Sequence, residues 1–228
     1  MADRDLEKQL AARHAVRLVQ SGMRVGLGSG STAAYAIQHL GERIRSEGLK
    51  VVGVPTSVSS RKLAEAAGVP LAADIEGFEV DLAIDGADEL TKAGDLIKGG
   101  GGALFHERIV ASAAKRFVVI ADSSKLVGEL GRFPLPVEVC RFGWRNAQAR
   151  LQSLRCNAVR REKDGDVFLT EEGNFIVDCS FPSMGSLHQL GRAIREIPGV
   201  VDHGLFLGTA HLLVIGRGNL VEEIPVGA

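Results

Sequence analysis

Four short clusters combine glycine with groups that bind anions or move protons. The first is GLGSGST, residues 26–32. Between a strand and a helix, its N–H groups and the hydroxyls of Ser29, Ser31 and Thr32 suit a phosphate. Gly30 and its neighbours let the backbone approach closely. The same residues also read as a tight turn with an N-cap. They do not make a dinucleotide fingerprint: counting G-x-G-x-x-G from Gly26 puts Ser31 at the third glycine, and the lysine of a nucleotide P-loop is missing.

The second cluster, AIDGADEL (83–90), sets Asp85, Asp88 and Glu89 directly after an apolar run. Ligands of open α/β sheets bind beyond the carboxyl ends of strands. Asp85 and Asp88 there can hydrogen-bond sugar hydroxyls or move protons. A plain turn and a magnesium site are the alternatives, the latter without a nearby histidine or EF-hand spacing.

The third cluster is LIKGGGGALFHERI (96–109), where Lys98 precedes four glycines. Four glycines lose much entropy on ordering, so a close approach to a ligand explains them better than a linker. Three and four residues from Glu107 stand Ala103, Leu104, Val110 and Ala111, all apolar. A carboxyl on that face is at least partly buried, and burial raises its pKa toward that of a useful base. A helix-start glutamate favoured by the dipole is the other reading. Val110 stands where a zinc H-E-x-x-H starting at His106 needs its second histidine. The fourth cluster, ADSSKLVGELG (121–131), puts Lys125 past another strand, either holding an anion or simply solvated. Of the other histidines, His203 in VVDHGLF is the one to watch.

Alternating strands and helices must bring these clusters together. Leu6, Leu10, Ala11/Ala15 and Leu18/Val19 predict a helix over 3–21. Strands are expected at 24–27, 50–54, 80–84 and 116–121. Helices are expected from a Ser31 or Thr32 cap to about Ser46, over 57–68 and over 103–115. This alternation builds an α/β fold, a Rossmann-like, doubly wound, mainly parallel sheet. After Gly131 the pattern changes. Strands at 134–140, 156–161, 166–170, 175–181 and 200–206, with helices at 142–153 and 186–197, predict a smaller α+β unit of the ferredoxin-like kind. Residues 210–216 then return to the main sheet. The expected domains are 1–131 with 206–228, and 132–205 inserted between them.

Composition narrows the partners. The chain carries 27 Lys+Arg against 28 Asp+Glu, and this near-neutral balance argues against a broad nucleic-acid footprint. No apolar run approaches the ~18 residues of a membrane span, and the charged start MADRDLEKQL does not suit a secretory signal. Cys140, Cys156 and Cys179 form neither a disulfide framework nor a zinc pattern, which suits a reducing, cytoplasmic setting.

Taken together, an anion cradle, two carboxylates, a lysine beside glycines and a half-buried glutamate suit proton transfer next to a carbonyl. The chain closely resembles ribose-5-phosphate isomerase of type A. The resemblance rests on GLGSGST (26–32), VPTS (54–57), IDGADE (84–89), IKGGGGAL (96–104), Glu107, ADSSK (121–125) and VDHGLF (201–206), in that order. It implies interconversion of ribose 5-phosphate and ribulose 5-phosphate in the pentose phosphate pathway, with no cofactor and no metal. It implies Glu107 as proton acceptor, with Asp85 and Asp88 handling ring opening and sugar hydroxyls. Gly86 and Ala87 fall in the same substrate loop. Lys98 with Gly99, Gly100 and Gly101 matches the loop that stabilises the oxyanion. Ser29, Gly30, Ser31 and Thr32, with Lys125 and, less directly, Lys8, match the phosphate end. A homodimer or homotetramer is implied too. Gly102, where alanine is common, and Phe105-His106, in place of a more polar pair, depart from the family pattern. The rival readings are a non-catalytic sugar-phosphate sensor, an NAD-dependent dehydrogenase, and a different sugar-phosphate isomerase or transferase.

Overall fold

The computed structural model describes residues 2–72 and 79–227. The first half runs α1 (Ala2–Val16), β1 (Arg24–Leu27), α2 (Ser31–Glu47), β2 (Val52–Pro55), α3 (Val58–Ala67), β3 (Val80–Asp85), β4 (Glu89–Leu90), β5 (Leu96–Ile97), α4 (Leu104–Ser112) and β6 (Ala114–Asp122). The second half runs β7 (Leu135–Val139), α5 (Trp144–Ser153), β8 (Asn157–Arg160), β9 (Glu162–Lys163), β10 (Asp166–Val167), β11 (Phe175–Ser180), α6 (Leu187–Arg195), β12 (Val200–His203), β13 (Leu205–Phe206), β14 (Leu212–Arg217) and β15 (Leu220–Pro225).

The main sheet has the order β15-β14-β6-β3-β1-β2. It is parallel from β14 to β2, and only β15 runs antiparallel, against β14. From β1 the chain moves outward to β2 and then crosses to β3 on the other side. The carboxyl ends of β1 and β3 therefore flank a topological switch point, where such sheets open a crevice. The central runs of β3 (Leu82–Ile84) and β6 (Phe117–Ala121) are apolar and buried, as strands covered on both faces must be. One face buries Val25, Ile120 and Val214 against Ile37 and Leu40 of α2 and the alanines of α1. The other packs Phe117, Val119 and Leu213 against Val110 of α4 and against Phe206.

A second, antiparallel sheet has the order β12-β7-β11-β8. Val137, Val177 and Cys179 on it pack against Leu151 of α5 and Ile194 of α6. A three-stranded ribbon, β13-β5-β4, lies between β3 and α4 in the chain and recruits β13 from far downstream. No helix among the described residues is long and apolar enough to cross a membrane.

Several boundaries differ from the sequence expectations. α1 stops at Val16 rather than 21, because Arg43 donates to the carbonyls of Val16 and Val19 at 2.7 and 3.0 Å. Neither Ser31 nor Thr32 caps α2: Gly30 is the cap residue, at φ 91°, and no side chain accepts from the first turn. α4 ends at Ser112 because Ala114 pairs with Val80, so the sheet captures residues expected in the helix. The strand expected over 166–170 is confined to β10, in a hairpin with β9 outside the four-stranded sheet. Asp164 and Gly165 at its tip both take positive φ, the requirement of a tight two-residue hairpin turn. β4, β5 and β15 were not anticipated.

Candidate active site

The four glycine-containing clusters do converge. A cleft of about 160 Å³ at the switch point is walled by Ser29, Gly30, Ser31, Thr32, Gly86, Ala87, Asp88, Lys98, Gly99, Gly100, Gly101, Glu107 and Lys125, with Lys8 of α1 at its edge. A roomier groove of about 820 Å³, along residues 91–95, 126–131 and 181–187, contains none of these groups.

One wall is the start of α2. Its first-turn N–H groups have no side-chain cap and are free to meet an anion. Ser29 Oγ lies 2.8 Å from Thr56 Oγ1 and donates to Ser57 Oγ at 2.7 Å, so VPTS braces this loop from β2. Lys125 ends a single helical turn, Ser123–Lys125, capped by the Asp122 carboxylate. Glu7 of α1 holds that turn by accepting from Ser123 N and Oγ at 2.9 and 2.8 Å, and its other oxygen accepts from Gly218 N at 2.7 Å.

The floor is ionic. Lys98 is 2% exposed, Asp85 3% and Glu107 6%. Lys98 Nζ sits 2.9 Å from Asp85 Oδ2 and 3.4 Å from Glu107 Oε2, and donates to the Gly86 carbonyl at 2.5 Å. Asp85 Oδ1 accepts from the N–H groups of Ser29 (3.0 Å) and Gly86 (2.7 Å). Asp85 thus lies beneath the cleft wall, not on it. Gly28 is obligatory here, since a Cβ would come within 2.1 Å of Asp85 Oδ1. Lys98 is also anchored through its backbone, which donates to Gly204 O at 2.9 Å, and it lies over the Phe206 ring at 5.7 Å.

Electrostatics set these groups apart. Burial pushes the Glu107 carboxyl up to about 8; Lys98 opposes the rise, and the charges of Asp85 and Asp88 add to it. Burial likewise raises Asp85 against the pull of Lys98. Burial alone would lower the Lys98 pKa, but Asp85 and Glu107 outweigh it and the ammonium is held firmly charged. Glu107 Oε2 accepts no hydrogen bond: Lys98 is near, but poorly aligned with it.

Sequence reasoning missed the support of the glycine loop. Asp88 Oδ2 accepts from Gly100 N at 2.7 Å. From just past β8, Arg161 Nη1 donates to the carbonyls of Gly99 and Gly100, both at 2.9 Å. Its Nε and Nη2 grip Asp178 at 2.9 and 2.5 Å. An arginine one residue past β8, some sixty residues away, gives no local signal of this contact. His203 is buried outside the cleft, its pKa lowered to about 4 by burial and by Arg108. No group of three or more His, Cys, Asp or Glu among the described residues is arranged to hold a metal.

An uncapped helix start above a buried base and a fixed ammonium belongs to the α/β enzymes that move protons on small phosphorylated substrates. Known proteins match more particularly. Residues 52–219 fit the family model described as ribose 5-phosphate isomerase A (phosphoriboisomerase A). Ribose-5-phosphate isomerase A of Synechococcus sp. is 47% identical over 98% of this chain and 99% of its own. The ribose 5-phosphate isomerase A structure from Methanocaldococcus jannaschii superposes with TM-score 0.92 at 41% identity, covering 97% of this chain and 98% of that one. The Plasmodium falciparum enzyme gives 0.94 at 34% identity, covering 98% and 100%. The chain belongs to the ribose 5-phosphate isomerase A family.

Proposed function

We propose that this protein interconverts D-ribose 5-phosphate and D-ribulose 5-phosphate through an enediolate, as an aldose–ketose isomerase of the non-oxidative pentose phosphate pathway. The observation that carries this reading is the unpartnered, buried Glu107 oxygen at a cleft wall beside a charged lysine. Glu107 takes the proton from C2 of the open-chain aldose and returns it to C1. Meanwhile the hydroxyl proton at O2 is given up and one is gained at O1. Negative charge grows on the substrate oxygens in between. Lys98 and the loop of Gly99 to Gly101, with the Gly101 N–H unengaged among the described residues, face that charge, and fixed donors of this kind lower a barrier most.

Asp88 attends the ring-opening proton and the sugar hydroxyls. Asp85 acts from beneath by keeping Lys98 charged and in place. Gly86 and Ala87 shape the same wall. Ser29, Gly30, Ser31 and Thr32 receive the phosphate, with Lys125 and Lys8 supplying opposite charge. A relative's structure in complex with phospho-erythronic acid, 35% identical to this chain, shows that a phosphorylated sugar acid is bound within the family. A sensor without turnover has no use for a carboxyl raised to about 8, so that alternative is not favoured.

We further propose that residues 132–205 work as a separate ferredoxin-like unit, that the protein is a cytoplasmic homodimer or homotetramer, and that it needs neither cofactor nor nucleic acid. The test of the reaction is ribulose 5-phosphate formation from ribose 5-phosphate in metal-free buffer. Wild type is expected to be active. Glu107→Gln should lose about 10²–10⁴ in kcat, the usual contribution of a positioned base, while substrate binding persists. Near-normal turnover by that variant would refute the assignment of the base.

A further inference from the structure

We infer that Arg161, aimed by Asp178, is a positioning residue for the oxyanion loop, so that the second sheet sets the catalytic competence of the first. The inference rests on the functional reading above. Each peptide unit of the loop carries a carbonyl on one residue and the N–H of the next. Arg161 Nη1 takes the carbonyls of Gly99 and Gly100. The paired N–H groups are those of Gly100 and Gly101. Gly100 N donates to Asp88, itself on the cleft wall. Gly101 N donates to no protein group among the described residues, and Gly101 lines the cleft. Holding the two carbonyls away from the cleft turns the N–H groups toward it. A full positive charge on those oxygens also polarises the peptide units and makes both N–H groups stronger donors.

The arginine is built for this. Its backbone is fixed just past β8, donating to Ile176 O of β11 at 2.8 Å and accepting from Phe168 N at 3.1 Å. Asp178 holds the guanidinium through two donors, which leaves the Nη1 edge pointing at the loop. Phe168 lies 5.6 Å from the same guanidinium, and its ring fills the space that a Cβ at Gly102 would need, 2.4 Å away. The residues flanking the β9–β10 hairpin therefore meet the loop at Gly99, Gly100 and Gly102. A lysine supplies a charge but not two fixed directions, so it cannot hold both carbonyls while gripping Asp178.

The experiment compares steady-state kinetics on ribose 5-phosphate for wild type, Arg161→Ala, Arg161→Lys and Asp178→Asn, with melting temperatures measured alongside. Donors aimed at developing charge are worth about 10²–10³ in kcat; here the donors remain but lose their aim, so Arg161→Ala should lose about ten- to a hundredfold. KM should change far less. Arg161→Lys and Asp178→Asn should fall between wild type and Arg161→Ala. Guanidinium ion, well below the molar range that unfolds proteins, should restore part of the kcat of Arg161→Ala and none of that of Glu107→Gln.

A folded Arg161→Ala with wild-type kcat overturns the inference. So does a loss confined to KM, or a loss that follows melting temperature and is not rescued by guanidinium. If Arg161→Ala does not fold, Arg161→Lys decides in the same way: undiminished kcat overturns the inference. A wild type inactive on ribose 5-phosphate overturns the functional reading together with this one, whereas an active wild type matched by its variants overturns this one alone.

Discussion

Glu107 Oε2 stands 3.4 Å from Lys98 Nζ and yet accepts no hydrogen bond from it. The ammonium is committed to Asp85 and to the Gly86 carbonyl instead. Glu107 therefore feels the neighbouring charge but keeps one oxygen unengaged. Such an oxygen takes up a proton without first breaking an existing bond.

The raised pKa of Glu107 fixes a pH profile. The base acts as carboxylate, so in free enzyme kcat/KM should climb with pH and level off near 8, falling about tenfold per unit below that. A profile already flat from pH 6 would contradict this.

Stability should move the opposite way. A carboxyl raised from 4.5 to about 8 stabilises the fold through its protonated form. That contribution is complete below 4.5 and is lost as pH rises toward 8. Glu107→Gln, which cannot ionise, should gain in melting temperature over wild type between pH 5 and pH 8. An unchanging difference across that window would show that Glu107 holds the same protons folded and unfolded there, and so that its pKa is not raised.

Lys98→Met should cost both stability and turnover. It strands Asp85 and Glu107 together without a counter-charge, and breaking a buried ion pair costs about 3–5 kcal/mol. Adding Asp85→Asn removes one stranded charge and should recover much of the stability but none of the turnover. Urea unfolding and kcat, measured on the same three proteins, separate the two effects. In the milder Lys98→Ala test, kcat should fall more than KM rises.

Gly28→Ala should damage the site through crowding alone. The new methyl would come within 2.1 Å of Asp85 Oδ1 and 2.6 Å of its Cα, which the main chain cannot easily relieve. Overpacking of this kind costs about 1–3 kcal/mol, and the displaced Asp85 should reduce kcat as well. Gly101→Ala meets nothing within 4 Å and should keep its melting temperature. Equal thermal stability of the two variants would argue against the steric account.

Chelator should leave activity unchanged, since base, ammonium and N–H donors are all supplied by the chain. Loss of turnover in chelator, regained on adding a divalent cation, would return Asp85 and Asp88 to the role of metal ligands.

Sequence alone made the chemistry legible because its groups lie in short local runs. GLGSGST, IDGADE and IKGGGG each combine functional atoms with the glycines that admit them. The apolar neighbours of Glu107 already foretold its burial. What escaped was whatever depends on distant pairing. β4 and β5 are two residues each and exist because β13 closes the ribbon. β15 exists because β14 offers an edge. Arg161 reaches the site from a position that carries no sequence signature. The Ser31 or Thr32 cap was a reasonable expectation from propensity, but the loop turns through Gly30 instead and leaves the first-turn donors unspent.

The link from Glu7 to both Ser123 and Gly218 has a consequence for assembly. α1 packs on α2 and β6, and it completes its contacts only when β14 and the turn after it are in place. The turn carrying Lys125 is gripped through one Glu7 oxygen, and Gly218 closes on the other. Long-range closure of this sort is slow compared with local structure. In refolding, secondary structure should return first, and enzymatic competence should report the last tertiary event, the docking of α1 against β14 and the turn after it.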